Sequence, residues 1–460
     1  MKNIIRNLGL LLLVLAVTGC GKTSSPDSFV EGTDYPYQYV SQQNPDGCGI
    51  SMVKGKDGMY FSVGSYIYRM DEKTKTIAPL CNKANCLHDR EKDDSRWEKC
   101  NAYTLDKQNV SISYMDGSIY FITSEWNDTE PIPVLYRIAE DGSVREKVYQ
   151  WEGDIVEQWC LHRGVLYYVE HTYDKKNQEH YAFRKLKISG TGMSKPESVY
   201  KPPEEEVAVL AFSVPCAFGN HVYFRVNGTT KEADDIDISK VSQEELLQYS
   251  YDKTIHYNIE DGTVSEIKKP GQSDTEYTGT VAFWQDKLLF SVSDFMDVHQ
   301  YDVTEDVYLA DLDGSNAKVY MKDMPSYRWY SSDGEYLYVS NCPECLDKFY
   351  HSDEFKNNIK NAKKLKYDFE MKVDVYDRNK KLIDTVEPPF HKSPTEPVYC
   401  AGDKMYVTVM SDSGDGFSVE YWDKKKLGTY QGKEYQLTEV CEQKFSEKDL
   451  QKMKEDSEEQ

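Results

Sequence analysis

Three thiols and an imidazole fall close together in the chain: Cys81, Cys86, His88 and Cys100, spaced C-x4-C-x-H-x11-C, with the charged run Asp89 to Asp94 between the last two. These residue types make a complete tetrahedral zinc set, and a zinc with four protein ligands keeps no open position for water or substrate. Such a site staples a fold and does not react. The spacing fits no standard zinc finger, and in an exported protein the same residues also read as one disulfide plus a leftover thiol. One disulfide plus a leftover thiol is therefore the first expectation, structural zinc its alternative and the one cofactor the sequence suggests, and plain reduced cysteines the third reading. A second pair, Cys342 and Cys345 in Cys342-Pro343-Glu344-Cys345, has redox spacing. Redox dithiols need a helix N-terminus in a strand-helix-strand context to lower the thiol pKa, and no such alternation surrounds this pair, so a local disulfide or a metal half-site is the expectation.

No catalytic constellation is legible. The chain has no G-x-S-x-G elbow and no H-E-x-x-H, and its nine histidines are scattered in sequence without a metal-type pair. Asp311-x-Asp313-Gly314-x-Asn316 is half of a calcium loop without the distal glutamate, and it falls where a hairpin turn is expected; Asp412 and Asp415 read the same way.

The N-terminus is an address. Lys2 and Arg6 precede an apolar stretch from Leu8 to Val17 broken only by Gly9. This is the charged region and short hydrophobic region of an export signal, too short to span a bilayer. It ends in Val17-Thr18-Gly19-Cys20, which resembles the lipobox of bacterial lipoproteins at all four positions. The resemblance implies that residues 1–19 are removed and that the thiol of Cys20 takes a diacylglyceryl group; two or more acyl chains suffice for stable anchoring. Loss of Lys2 and Arg6 moves the formal charge from −23 to −25. Gly21-Lys22-Thr23 has the tail of a phosphate-binding loop but runs into the polar tether Thr23 to Ser28, with no strand before it or helix after it.

The elements that position the clusters follow from composition and repetition. Of 460 residues, 39% are apolar and 29% charged, yet there are 36 tyrosines. That balance excludes a disordered chain and a multi-span membrane protein, and it favours strands. A surplus of acid this large repels a polyanion, so nucleic acid is not a partner. A turn of Gly, Asp or Asn followed by apolar residues centred on tyrosine occurs seven times, at Tyr60, Tyr120, Tyr167, Tyr223, Leu289 (the weakest copy), Tyr338 and Tyr406. A second apolar pattern follows each: 67–70, 135–138, 183–186, 255–258, 307–310, 373–376 and 419–422. Each unit reads as two hairpins with the positive φ of Asp-Gly at the tips. Anchors lie 47 to 68 residues apart, near the length of a propeller blade with insertions. Four-stranded sheets of this kind bury both faces by packing radially, so the expected fold is an all-β β-propeller of seven four-stranded blades over 45–445 with a few short helical insertions, preceded by a lipidated tether over 20–44 and followed by a charged tail over 446–460. One such insertion is the capping-box start at Ser242 and Glu245.

Over roughly 45–445 the chain resembles the tyrosine-rich β-propeller lipoproteins of Gram-positive gut bacteria, akin to TolB-like and DUF5050 propellers. The resemblance implies a fold and a location, the outer face of the cell membrane, more than a reaction. The expected function is a surface-tethered binding or interaction module, monomeric, meeting a carbohydrate or protein ligand through loops at one end of the propeller. An extracellular glycosidase or polysaccharide lyase is the alternative, since two carboxylates could meet across the channel without adjacency in sequence. A sensor or transporter accessory subunit is another.

Overall fold

The computed structural model describes residues 28–39, 52–88, 99–105, 110–126, 131–152, 155–175, 179–189, 192–203, 206–212, 215–230, 249–294, 304–325, 330–340, 373–386, 399–410, 416–431 and 438–444. Cys20, the Cys342/Cys345 pair, the helix start at Ser242, Asp412, Asp415 and the tail 446–460 lie outside them. The described strands form seven antiparallel sheets, spanning 52–79, 112–150, 155–200, 206–266, 276–325, 330–386 and 399–444. The fold is a β-propeller. Each sheet has four ranks of strand; two contain an extra strand because the outer rank of the third and the inner rank of the fourth are interrupted. Among the described residues, no helix is long and apolar enough to cross a membrane.

One tyrosine motif falls to each sheet, always on its second strand, and the second apolar pattern always supplies the third. All seven anchors are 2% exposed or less. Burying a ring of this size stabilises the fold by roughly 2–3 kcal/mol, which makes the seven anchors a large part of the core. In six of the seven sheets the innermost strand leaves room for the anchor, and in the seventh Tyr406 pairs with Tyr399. The residue paired with the anchor is Val53, Ser113, Cys160, Cys216, Ala282 or Ser331 in the first six sheets, each of them small. At two anchors the hydroxyl adds a bond to the next sheet that phenylalanine could not make. Tyr60 Oη donates to the carbonyl of Glu140 at 3.2 Å, and Tyr223 Oη donates to that of Leu312; each acceptor sits where the next sheet turns from its third to its fourth strand.

Turn chemistry follows the sequence. Asp116 and Gly117 have φ of 50° and 71°, and Arg163 and Gly164 have 48° and 73°, the paired left-handed conformation that two-residue hairpins need. The half calcium loop is a turn as expected: Asp313 Oδ1 accepts from Ser315 N at 2.8 Å, while Asp311 takes Asn316 Nδ2 at 2.7 Å and Lys287 Nζ at 2.5 Å.

The ring closes by packing. Apolar side chains of the first, second, sixth and seventh sheets share one core cluster. At five of the seven junctions the first strands of neighbouring sheets meet one another, so they line the axis, and the turns joining first to second strands gather at one end of it.

The expectation of a tether over 20–44 needs correction. Within it, residues 28–39 are part of the fold. Asp34, 5% exposed, is gripped by Arg163, with Nε to Oδ1 at 2.5 Å and Nη2 to Oδ2 at 2.7 Å. Tyr35 Oη donates to the carbonyl of Lys54 at 2.7 Å, and its ring lies 5.9 Å from that of Tyr114. Tyr39 packs on Phe218 at 4.8 Å, hydrogen-bonds Asp286 and covers Gly334, where an added Cβ would meet its ring at 3.2 Å. An acid and two tyrosines with partners this distant in sequence cannot be told from a polar linker by composition alone.

Candidate metal centre

The first sheet's outermost strand, Thr76–Pro79, delivers Cys81 to the site. Leu80 is buried and its amide donates to the carbonyl of Ile67 at 2.8 Å, which fixes the chain just before the ligand. Asn82 N then donates to the carbonyl of Gly142 at 2.9 Å, tying the segment to a turn of the second sheet. That turn approaches closely: a Cβ on Gly142, whose φ is 75°, would meet Cys81 N at 2.9 Å, so both the conformation and the space call for glycine. The chain folds back with Asn85 at φ 67° and His88 at φ 53°, bringing Cys86 and His88 round to Cys81. The carbonyl of His88 accepts from Tyr66 Oη at 3.2 Å.

Cys100 arrives from the other side. The segment after it pairs with the start of the first sheet's third strand, through Ile67 N to Ala102 O and Thr104 N to Ser65 O, each at 2.9 Å. Tyr66 and Tyr103 form the antiparallel bridge between them. Asn101 Nδ2 reaches the same Gly142 carbonyl at 2.9 Å, and Arg145 of the second sheet donates to Tyr103 O at 2.5 Å. The cluster therefore stands at the joint between two sheets, held by both.

The four ligand atoms of Cys81, Cys86, His88 and Cys100 all lie within 4.8 Å of one another, and Cys100 Sγ is 3.7 Å from His88 Nδ1. Zinc bonded to sulfur at ~2.3 Å and nitrogen at ~2.0 Å in a tetrahedron places its ligand atoms about 3.5–3.8 Å apart. No thiol of the cluster is disulfide-bonded in the structure. The electrostatics suit a cation. Hydrogen bonding with Cys100, then with His88 and the amides of Lys83 and Asn101, draws the Cys81 thiol down to about 3 against its partial burial. Asn101 N points at Cys81 Sγ at 3.4 Å. Cys100 is pushed up by sharing its proton with Cys81 and by burial, and Cys86 is pushed up by burial. A divalent cation at the centre of the set would favour the ionised form of all three thiols.

Other features were not legible as sites. Cys160 and Cys216 are free and buried, and burial raises both thiols, that of Cys216 to about 12. They are the small partners of Tyr167 and Tyr223 noted above. Two of the nine histidines, scattered in sequence, do meet: His221 Nδ1 and His256 Nε2 are 2.7 Å apart, and His256 Nδ1 contacts Ser265 Oγ at 3.1 Å. Burial, then His221, lowers His256 to about 4; burial also lowers His162, bonded to Gly219 O at 2.8 Å, to about 4. Both are neutral core side chains at pH 7. Their pairing follows from strand register, which spacing does not show.

No family model matches this sequence, and no curated relative matches it. Solved structures that are similar in architecture include a puromycin-hydrolyzing peptidase of Mycobacterium tuberculosis (11% identity, TM-score 0.47, covering 90% of this chain and 55% of that one). An oligogalacturonate lyase in complex with manganese is similar at 11% identity and TM-score 0.42 over 93% of both chains. The β-propeller domain of the Trilobed protease from Pyrococcus furiosus, described as having an open velcro topology, is similar at 8% identity and TM-score 0.44 over 85% of this chain and 96% of that one. The chain spans about half the length of the peptidases it matches. At such identities the likeness concerns architecture and not activity.

Proposed function

We propose that this chain is a bacterial lipoprotein, anchored through acylated Cys20 to the outer face of the cell membrane, whose propeller is a binding module stapled by a structural zinc at Cys81, Cys86, His88 and Cys100. The binding reading rests on one observation. Trp126 and Tyr173, 75% and 50% exposed, are the last residues of the second strands of adjacent sheets, so both stand at the end of the propeller opposite the first-to-second-strand turns. Large aromatic rings left open to water are costly unless they serve recognition, and Trp and Tyr offer rigid faces with a polar edge. Such faces stack on the C–H face of a sugar ring, which makes a carbohydrate the favoured ligand over a protein. A zinc closed by four protein ligands takes no part in turnover and belongs to the scaffold.

A glycan array with parallel hydrolysis assays tests the binding reading. The expected result is retention of a defined oligosaccharide without cleavage, weakened at least tenfold by Trp126→Ala. Turnover of any bound glycan would replace the binding module with the glycosidase or lyase. Binding indifferent to Trp126→Ala and Tyr173→Ala would reject the aromatic platform.

A further inference from the structure

We propose that residues 28–39 are a built-in plug that closes one end of the propeller axis and thereby turns that end toward the bilayer, leaving the Trp126 and Tyr173 end facing outward. The inference rests on the reading of Cys20 as the lipid anchor and adds an orientation to it.

The plug is built from contacts that converge from six sheets. Asp34 takes a bidentate grip from Arg163 in the third sheet's first turn, and the same guanidinium reaches Ser28 O at 3.4 Å and Asn220 in the fourth. Tyr35 meets Lys54 of the first sheet and Tyr114 of the second. Tyr39 meets Phe218 of the fourth, Asp286 in the fifth sheet's first turn and Gly334 in the sixth's. A segment of twelve residues that touches the first strands or first turns of six of the seven sheets lies across the middle of the ring. The plug also holds itself in shape: Asp34 Oδ2 accepts from Val30 N at 2.8 Å, and Asp34 N donates to Val30 O at 2.9 Å.

Chain length then decides the orientation. Cys20 lies eight residues before Ser28, a reach of roughly 29 Å at full extension. For the opposite end to face the membrane, the tether would have to cross four strand ranks to the rim, about 15–20 Å, and then follow a second strand of nine residues for about 26 Å. That path of over ~40 Å exceeds the reach. With residues 28–39 seated, the propeller can tilt on its anchor and cannot turn over.

The test uses full-length lipidated protein in liposomes carrying an energy-transfer acceptor on the headgroups. A donor dye is placed either at Asp403, in the seventh sheet's first turn, or at Glu179, where the third sheet's third strand begins at the far end. Transfer from Asp403 should exceed that from Glu179 at least twofold. Arg163→Ala should open residues 28–39 to protease, lengthen the free tether and shrink the difference, with the strand signal in circular dichroism intact. Asp34→Asn should do the same more weakly. Equal transfer from the two positions in the wild type would overturn the orientation. A segment equally protease-resistant in both variants would overturn the plug. Cys20→Ala separates the two ideas: protein that still sediments with liposomes sinks the lipid anchor, while protease resistance of 28–39 in solution still reports on the plug.

Discussion

The Cys/His cluster and the N-terminal segment 28–39 both join sheets, by opposite means. The cluster concentrates four ligands from 20 residues of chain at the joint between two neighbouring sheets. The plug spreads single contacts over six, with the Asp34 and Arg163 partners 129 residues apart. Among the described residues the first and last sheets are each made from one continuous stretch of chain and share no strand, so such secondary fasteners carry more of the closure. Local chemistry can be seen in sequence. Distributed chemistry cannot.

The largest effect should come from breaking the concentrated fastener. Cys100→Ser is expected to take bound zinc from one equivalent to none and to lower unfolding free energy on the order of 5 kcal/mol, a fraction of the ~10–16 kcal/mol that zinc gives isolated fingers, since here the sheets have an apolar core of their own. Metal analysis and urea titration, with and without chelator, measure both. Full stability in a zinc-free sample would place the ring's closure elsewhere.

Breaking the distributed fastener should cost somewhat less. Arg163→Ala strands the carboxylate of Asp34, whose side chain is fully buried, and is expected to cost about 3–5 kcal/mol in urea titration. Arg163→Lys keeps the charge but loses the fork and should fall between variant and wild type. A cost below ~1 kcal/mol would mean that the plug is not seated in solution.

A smaller effect sharpens the contrast, because it acts on the core beside the plug and not on the metal cluster. His162 and His256 have folded pKa values near 4 against ~6.5 unfolded, so between those values the unfolded chain binds more protons. Stability is full above pH 6.5 and falls as pH drops toward 4, by on the order of 2 kcal/mol between pH 7.5 and 5.5. His162→Gln should flatten part of that slope with zinc content unchanged at pH 7.5.

How much could be read beforehand follows the same division. The tyrosine anchors and their Asp-Gly turns gave both the sheet count and the strand ranks, because each repeat carries its own hairpin chemistry. The Cys81, Cys86, His88 and Cys100 set was visible by residue type, while its closeness in space depends on Gly142 and Asn101, neither of which carries a metal-site signature. The small residues opposite the tyrosines, Cys160 and Cys216 among them, make sense only once register is known. Residues 28–39 look like a linker because their value lies entirely in partners elsewhere.

Hydrogen exchange on the full-length chain, with and without a zinc chelator, tests the pairing of these two fasteners most directly. The account predicts that residues 28–39 exchange slowly in both samples, at the amides of Asp34 and Gln38 above all, and that chelation releases the described residues around 80–88 and 99–105 alone. Residues 28–39 exchanging at the rate of an unstructured peptide, or a chelator without effect on the cluster, would contradict it.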